Sequence, residues 1–231
     1  MTAPFVQPAA ARAHPAAAPP RRLLAAGVAA GPVFLAVALV QAFTRDGFDL
    51  ERHAVSQLAL GPGGYVQIAN FVLTGALLVL ASRGLRRALA PGLGAVWGAR
   101  LVAGFGVGML IAGVFVADPA YGFPVGTAEG PGQISWHGAV HALGFAVAMV
   151  SWVSGCVVLA RALAPRDDRL AAGACVLALV GAAVVGASPA AGAFTVRLVL
   201  VSAVQLGLVA FLCARLARPV GTPPPHLPPT G

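Results

Sequence analysis

An all-α, polytopic membrane protein is the fold class this sequence predicts: a bundle of six transmembrane helices with both termini in the cytoplasm. Three observations predict it. Only 10% of the 231 residues are charged and 58% are hydrophobic, whereas a soluble domain carries roughly a quarter of its residues charged. Six charge-free apolar runs have membrane-spanning length. The arginines cluster on alternate connections between those runs.

The composition restricts partners and source. Mean hydropathy is +0.86. All fifteen basic residues are Arg and none is Lys. With abundant Ala and Gly, that bias is typical of a G+C-rich genome and points to a bacterial source, hence to the cytoplasmic membrane. A net charge of +8 would suit nucleic acid if it formed one basic stripe. The Arg residues instead stand singly or in pairs at the ends of apolar runs, as topology requires, so membrane lipids are the expected partners and nucleic acid is not. Cys156, Cys175 and Cys213 all lie within apolar segments, which suits small hydrophobes better than a disulfide framework.

A bilayer core about 30 Å thick needs roughly 17–25 apolar helical residues to cross it. Runs of that kind occupy 23–43, 65–82, 101–117, 134–160, 170–187 and 198–214. With the N-terminus inside, twelve Arg face the cytoplasm and three (Arg45, Arg52 and Arg197) face outward, the asymmetry of the positive-inside rule. The first run follows Arg21–Arg22 as a signal peptide would, but it exceeds the usual core of about 7–15 residues and is expected to stay. Residues 1–20 are Ala/Pro-rich and 219–231 are Pro-rich, so both read as disordered tails around one domain at 21–218.

Lipid tails are as apolar as Leu, so helices in a membrane associate through small residues and buried hydrogen bonds. Gly27 and Gly31 on the first span, and Gly104, Gly106, Gly108 and Gly113 on the third, are the expected contact positions. Gly31–Pro32 reads as a kink. Gln41, Gln67, Asn70, Thr74 and Gln205 need partners inside the bundle.

Two long outer connections carry most of the remaining polar residues. The first, Thr44 to Gly64, holds His53 and Ser56 on a stretch predicted as a short interfacial helix, followed by a glycine turn at Gly61–Gly64. That turn lacks the preceding strand and the Lys of a phosphate loop. The second runs from Asp118–Pro119 through Gly122-x-Pro124 to Ser135-x-His137, with His141 one turn further on. Taken together with Ser56-Gln-Leu-Ala-Leu-Gly61 and Asn70–Phe71, these motifs resemble the bacterial membrane family catalogued as domain of unknown function 998. The resemblance covers about residues 25–215, and it implies six helices and a cytoplasmic-membrane address, with no activity or site residues attached.

His137 and His141, four apart on a helix, project from one face about 6 Å apart along the axis. Ionisable groups at membrane depth are functional candidates. Ser56, Asp118, His137 and His141 are therefore expected to form an outward-facing polar pocket, with His53 and Asn70 peripheral. Asp118, His137 and His141 also form an adequate ligand set for zinc. His141 is expected to find its partner in Asp118, Ser56 or Asn70.

Three functions are compatible with these residues. One is a non-enzymatic component that binds or senses lipid or a small amphiphile. Another is a metal-dependent lipid hydrolase, since Ser, Asp and a His-x-x-x-His pair resemble those of ceramidase-like membrane hydrolases. The third is a secondary transporter, against which stands the lack of acids or Lys near a midplane. The first is the leading expectation.

Overall fold

A computed structural model describes residues 20–166, 168–187 and 193–218; apart from Pro20, the expected tails at 1–20 and 219–231 lie outside the described residues. Six helices make up the described chain: α1 (Arg21–Thr44), α2 (Gly64–Leu89), α3 (Leu93–Val114), α4 (Trp136–Leu163), α5 (Arg169–Ala187) and α6 (Phe194–Leu216). All six are long and apolar enough to cross a membrane, and no strand occurs among the described residues. The chain is a multi-pass membrane protein with the predicted all-α architecture.

Each helix packs on the next in sequence, and α1 packs on α6, so the bundle closes into a ring. α5 is the least embedded member, with only Ala171 and Cys175 buried. The short α2–α3 and α4–α5 connections share one end with most of the arginines. There Arg166 donates to the carbonyls of Leu89 and Pro91, and Arg215 Nε lies 2.7 Å from both carboxylate oxygens of Asp168. That guanidinium holds the Asp168 carboxyl below the usual carboxylate range. The two long connections, 45–63 and 115–135, share the opposite end.

Three helices depart by a turn or more from their expected limits. α2 runs on to Leu89 rather than ending at 82, with Arg83, Arg86 and Arg87 on the helix. α3 begins at Leu93 rather than at 101, because Arg100 does not end the helix; its guanidinium lies 5.0 Å from the Trp97 ring centroid one turn back. α6 begins at Phe194 rather than at 198. The amides of Phe194 and Thr195 donate to the carbonyls of Glu51 and Leu50, and the Thr195 hydroxyl donates to His53 O. A helix N-terminus leaves its first N–H groups unpaired, and here the first long connection supplies the acceptors. Pro32 sits inside a continuous α1.

The glycines work as close-approach positions on two faces of α3. A Cβ on Gly106 would lie 2.7 Å from Gly75 O of α2, and one on Gly108 would lie 2.5 Å from Gly144 O of α4. On α1, a Cβ at Gly31 would lie 3.2 Å from Leu206 Cβ of α6.

Between α1 and α2 runs a buried row of carboxamides. Gln41 Nε2 donates to Val37 O (3.2 Å) and Gln67 Oε1 (2.8 Å). Asn70 Nδ2 donates to Phe34 O (3.0 Å) and to the same Gln67 oxygen (3.2 Å). The α1 carbonyls can only accept, so they orient Gln41 and Asn70 with nitrogens forward, and Gln67 must present its oxygen to both.

Candidate functional site

The two long connections fold over one end of the ring as a lid. Residues Val55–Ala59 form a short 3-10 helix with Val55, Gln57, Leu58 and Ala59 buried. Gly61 and Gly63, at φ 65° and 81°, adopt the left-handed backbone that glycine tolerates and lead into α2 as the expected turn. His53, expected to be peripheral, lies at the centre of this lid with 2% exposure. Its Nδ1 accepts from the Asp49 amide (2.8 Å), so its Nε2 carries the proton and donates to Tyr121 O (2.9 Å). Phe123, 1% exposed, packs edge-on against Phe48 and beside His53, and the Arg45 guanidinium sits 5.6 Å from its centroid. Arg45 also donates to Leu58 O and Leu60 O, and Gln57 Nε2 donates to Ala120 O at 3.0 Å. His53 and Gln57, with Arg52 paired to Glu129 at 2.6 Å on the exposed side, therefore bind the two connections to each other.

Asp118 lies four residues beyond the end of α3, in the second connection as expected, and acts as a second cap on α4. Its carboxylate accepts from the Ser135 amide (2.9 Å) and hydroxyl (2.6 Å), while the Ser135 hydroxyl accepts from the Gly138 amide (3.1 Å). A Cβ on Gly138 would run into the carboxylate, which is why glycine stands there. Burial acts to raise the Asp118 pKa, but the two Ser135 hydrogen bonds outweigh it and hold the carboxyl below its ordinary value.

His137 is partly exposed. Its Nδ1 lies 3.2 Å from Val116 O and 3.8 Å from an Asp118 oxygen. His141 takes none of its three expected partners. Its Nδ1 lies 3.0 Å from Ala112 O and 2.8 Å from Phe115 O, the carbonyls left open where α3 ends. Among the described residues no three His, Cys, Asp or Glu side chains are grouped as metal ligands. Both oxygens of Asp118 accept from Ser135, and Asp118, His137 and His141 are not grouped around a common point, so this donor set does not fit zinc.

Beneath the lid, a cavity of about 100 Å³ occupies the middle of the ring. Ser56 and Val55 line it from the 3-10 turn, and His141 from α4; Asp118, His137, His53 and Asn70 do not line it. Its walls come from Phe34, Phe71, Phe105, Met109, Phe145 and Met149, with Ser202 and Gln205 contributed by α6. Phe105 also bounds a second space of about 20 Å³ between α3, α4 and α6. Phe145 is 52% exposed while lining the cavity, so on the α4 side a single aromatic ring stands between the cavity and the surroundings. Sequence reasoning missed Ser202 and the aromatic walls. Helical spacing carried the signal, at Phe105–Met109–Ala112, His141–Phe145–Ala148 and Leu198–Ser202–Gln205, but such stripes also describe any packed helix face.

Residues 28–218 match the model of a family described as a protein of unknown function (DUF998). No curated protein and no solved structure matches the chain.

Proposed function

The chain belongs to the family of unknown function DUF998, and on that premise we propose that it is a non-enzymatic component of the bacterial cytoplasmic membrane that binds or senses a lipid or small amphiphile. The arginine asymmetry supports placing both termini in the cytoplasm, which puts the lid and its cavity on the outward side.

One observation carries the reading: the cavity is apolar, lies beneath the lid and is bounded on the α4 side by the half-exposed Phe145. The lid is closed by Phe123 and the His53–Tyr121 and Gln57–Ala120 hydrogen bonds. Entry past Phe145 leads from between α4 and α6, where the surroundings are acyl chains. A molecule already dissolved in the bilayer has that route, and a water-borne ion does not. Size limits the occupant. An engineered cavity of about 150 Å³ takes up benzene, so about 100 Å³ admits a small apolar body or one chain end, not a whole phospholipid.

Mass spectrometry of the protein released from lipid nanodiscs tests this. Wild type should retain an amphiphile that Ser202→Trp, which fills the cavity, does not retain, with unchanged helical circular dichroism. An empty wild type, or equal retention by a folded Ser202→Trp, would overturn the reading.

A further inference from the structure

We infer that the occupant of this cavity carries an uncharged hydroxyl, which it donates to His141 Nε2. This deepens the amphiphile reading and rests on it.

The argument starts from the end of α3. The carbonyls of Ala112 and Phe115 both face His141 Nδ1, at 3.0 and 2.8 Å. A carbonyl oxygen can only accept, so the ring proton is on Nδ1 and the lone pair of the neutral imidazole is on Nε2. The fold thus sets the tautomer whether or not a ligand is present. His141 makes no other hydrogen bond among the described residues. Its ring edge meets Phe71, centroid to centroid at 6.5 Å, and the ring lines the cavity. The cavity therefore offers an acceptor set in an apolar wall.

That chemistry selects the occupant. No Asp, Glu, Arg or Lys lines the cavity, so a carboxylate, phosphate or ammonium would lose its hydration without gaining a counter-charge. A pure alkane would fill the space and leave Nε2 unpaired. A neutral alcohol satisfies both demands, with its carbon body against Phe34, Phe105 and Met109 and its O–H on the imidazole. The Ser56 and Ser202 hydroxyls, also in the lining, can donate to the ligand oxygen. A free short alcohol and the hydroxyl end of a longer membrane alcohol share this chemistry.

The test is a nuclear magnetic resonance titration of the full-length protein in nanodiscs, with 13C-methyl Met and 15N-His labels. The Met109 and Met149 methyls report occupancy by any molecule, and the His141 Nε2 resonance reports the hydrogen bond. The probes are 1-hexanol, 1-hexadecanol, hexane and hexanoate. Hexanol should move both Met methyls and Nε2, hexane the methyls alone, and hexanoate neither. A shift with hexadecanol as well assigns the site to membrane alcohols, and a shift with hexanol alone to small ones. The preference for hexanol over hexane should be about three- to tenfold, the worth of one hydrogen bond, and His141→Phe should abolish it while still binding hexane. If hexane and hexanol bind equally and Nε2 does not move, the hydroxyl inference fails and the apolar pocket stands. If no probe moves the Met methyls, both fall.

Discussion

Inside an apolar bundle a polar side chain gains by bonding to the backbone or to another side chain, and this protein uses both solutions, although the buried Thr74 hydroxyl, expected to find a partner, has none among the described residues. His141 and His53 bond to carbonyls of other segments, whereas Gln41 and Asn70 each bond both to an α1 carbonyl and to the Gln67 oxygen. All three carboxamides are buried, so removing one strands its neighbours, at about 1–3 kcal/mol for each group left unpaired. Asn70→Leu and Gln67→Leu should each lower thermal stability in detergent on that order. The double variant should cost less than the sum, because both singles disrupt bonds to the same Gln67 oxygen. Additive losses in a double-mutant cycle would show that the row is not a coupled network.

Among the helices, the glycines separate into those that set an interhelical distance and those that do not. At Gly108 a Cβ would meet backbone atoms of α4, with Gly144 O at 2.5 Å and Ala148 N at 2.6 Å. Backbone cannot rotate away as a side chain can, so α3 and α4 would have to separate. At Gly207 on α6 a Cβ would find nothing within 4 Å. Both sites are helical, and alanine gains roughly 0.5–1 kcal/mol over glycine in a helix interior. Gly108→Ala should therefore lower the unfolding midpoint, while Gly207→Ala should leave it unchanged or raise it. Equal effects from the two substitutions would remove close approach as the reason for the α3 glycines. α3 and α6 also show why limits read from hydropathy drift by about one or two turns. Arg100 and Arg197 ended the apolar runs, but a helix stops where its backbone groups find other partners, and at α6 those partners lie in the first long connection.

Across the whole molecule, the two ends of the ring are built differently. One is closed by Arg166 and Arg215 across short connections, the other by a lid of two long connections in which Arg45, His53 and Gln57 bond to backbone carbonyls around Phe123. Twelve of the fifteen arginines lie on segments assigned to the first end. Under the positive-inside rule, alkaline phosphatase fused after residue 125 should be active, and fused after residue 165 inactive. The reverse pattern, or activity at both points, would invert or abolish the proposed orientation and move the cavity away from the outward side.

Six apolar helices, the turn at Gly61–Gly64 and the small-residue contacts on α1 and α3 were all legible in the chain. The bilayer imposes its demands on each segment separately: enough apolar length to cross, and every backbone group paired within the helix. The cavity was not legible in that way. Ser56 and His141 line it, but Asp118 and His137, which looked equivalent to them in sequence, act at the rim as cap and neighbour. His53 moved from periphery to centre because its partners, Asp49 N and Tyr121 O, belong to two different connections. His141 met carbonyls 26 and 29 residues away because α3 stops at Val114, short of the expected 117. Which polar groups meet depends on helix rotation, on where a helix ends and on how two loops stack. These are relations between segments, and they arise only when the ring closes.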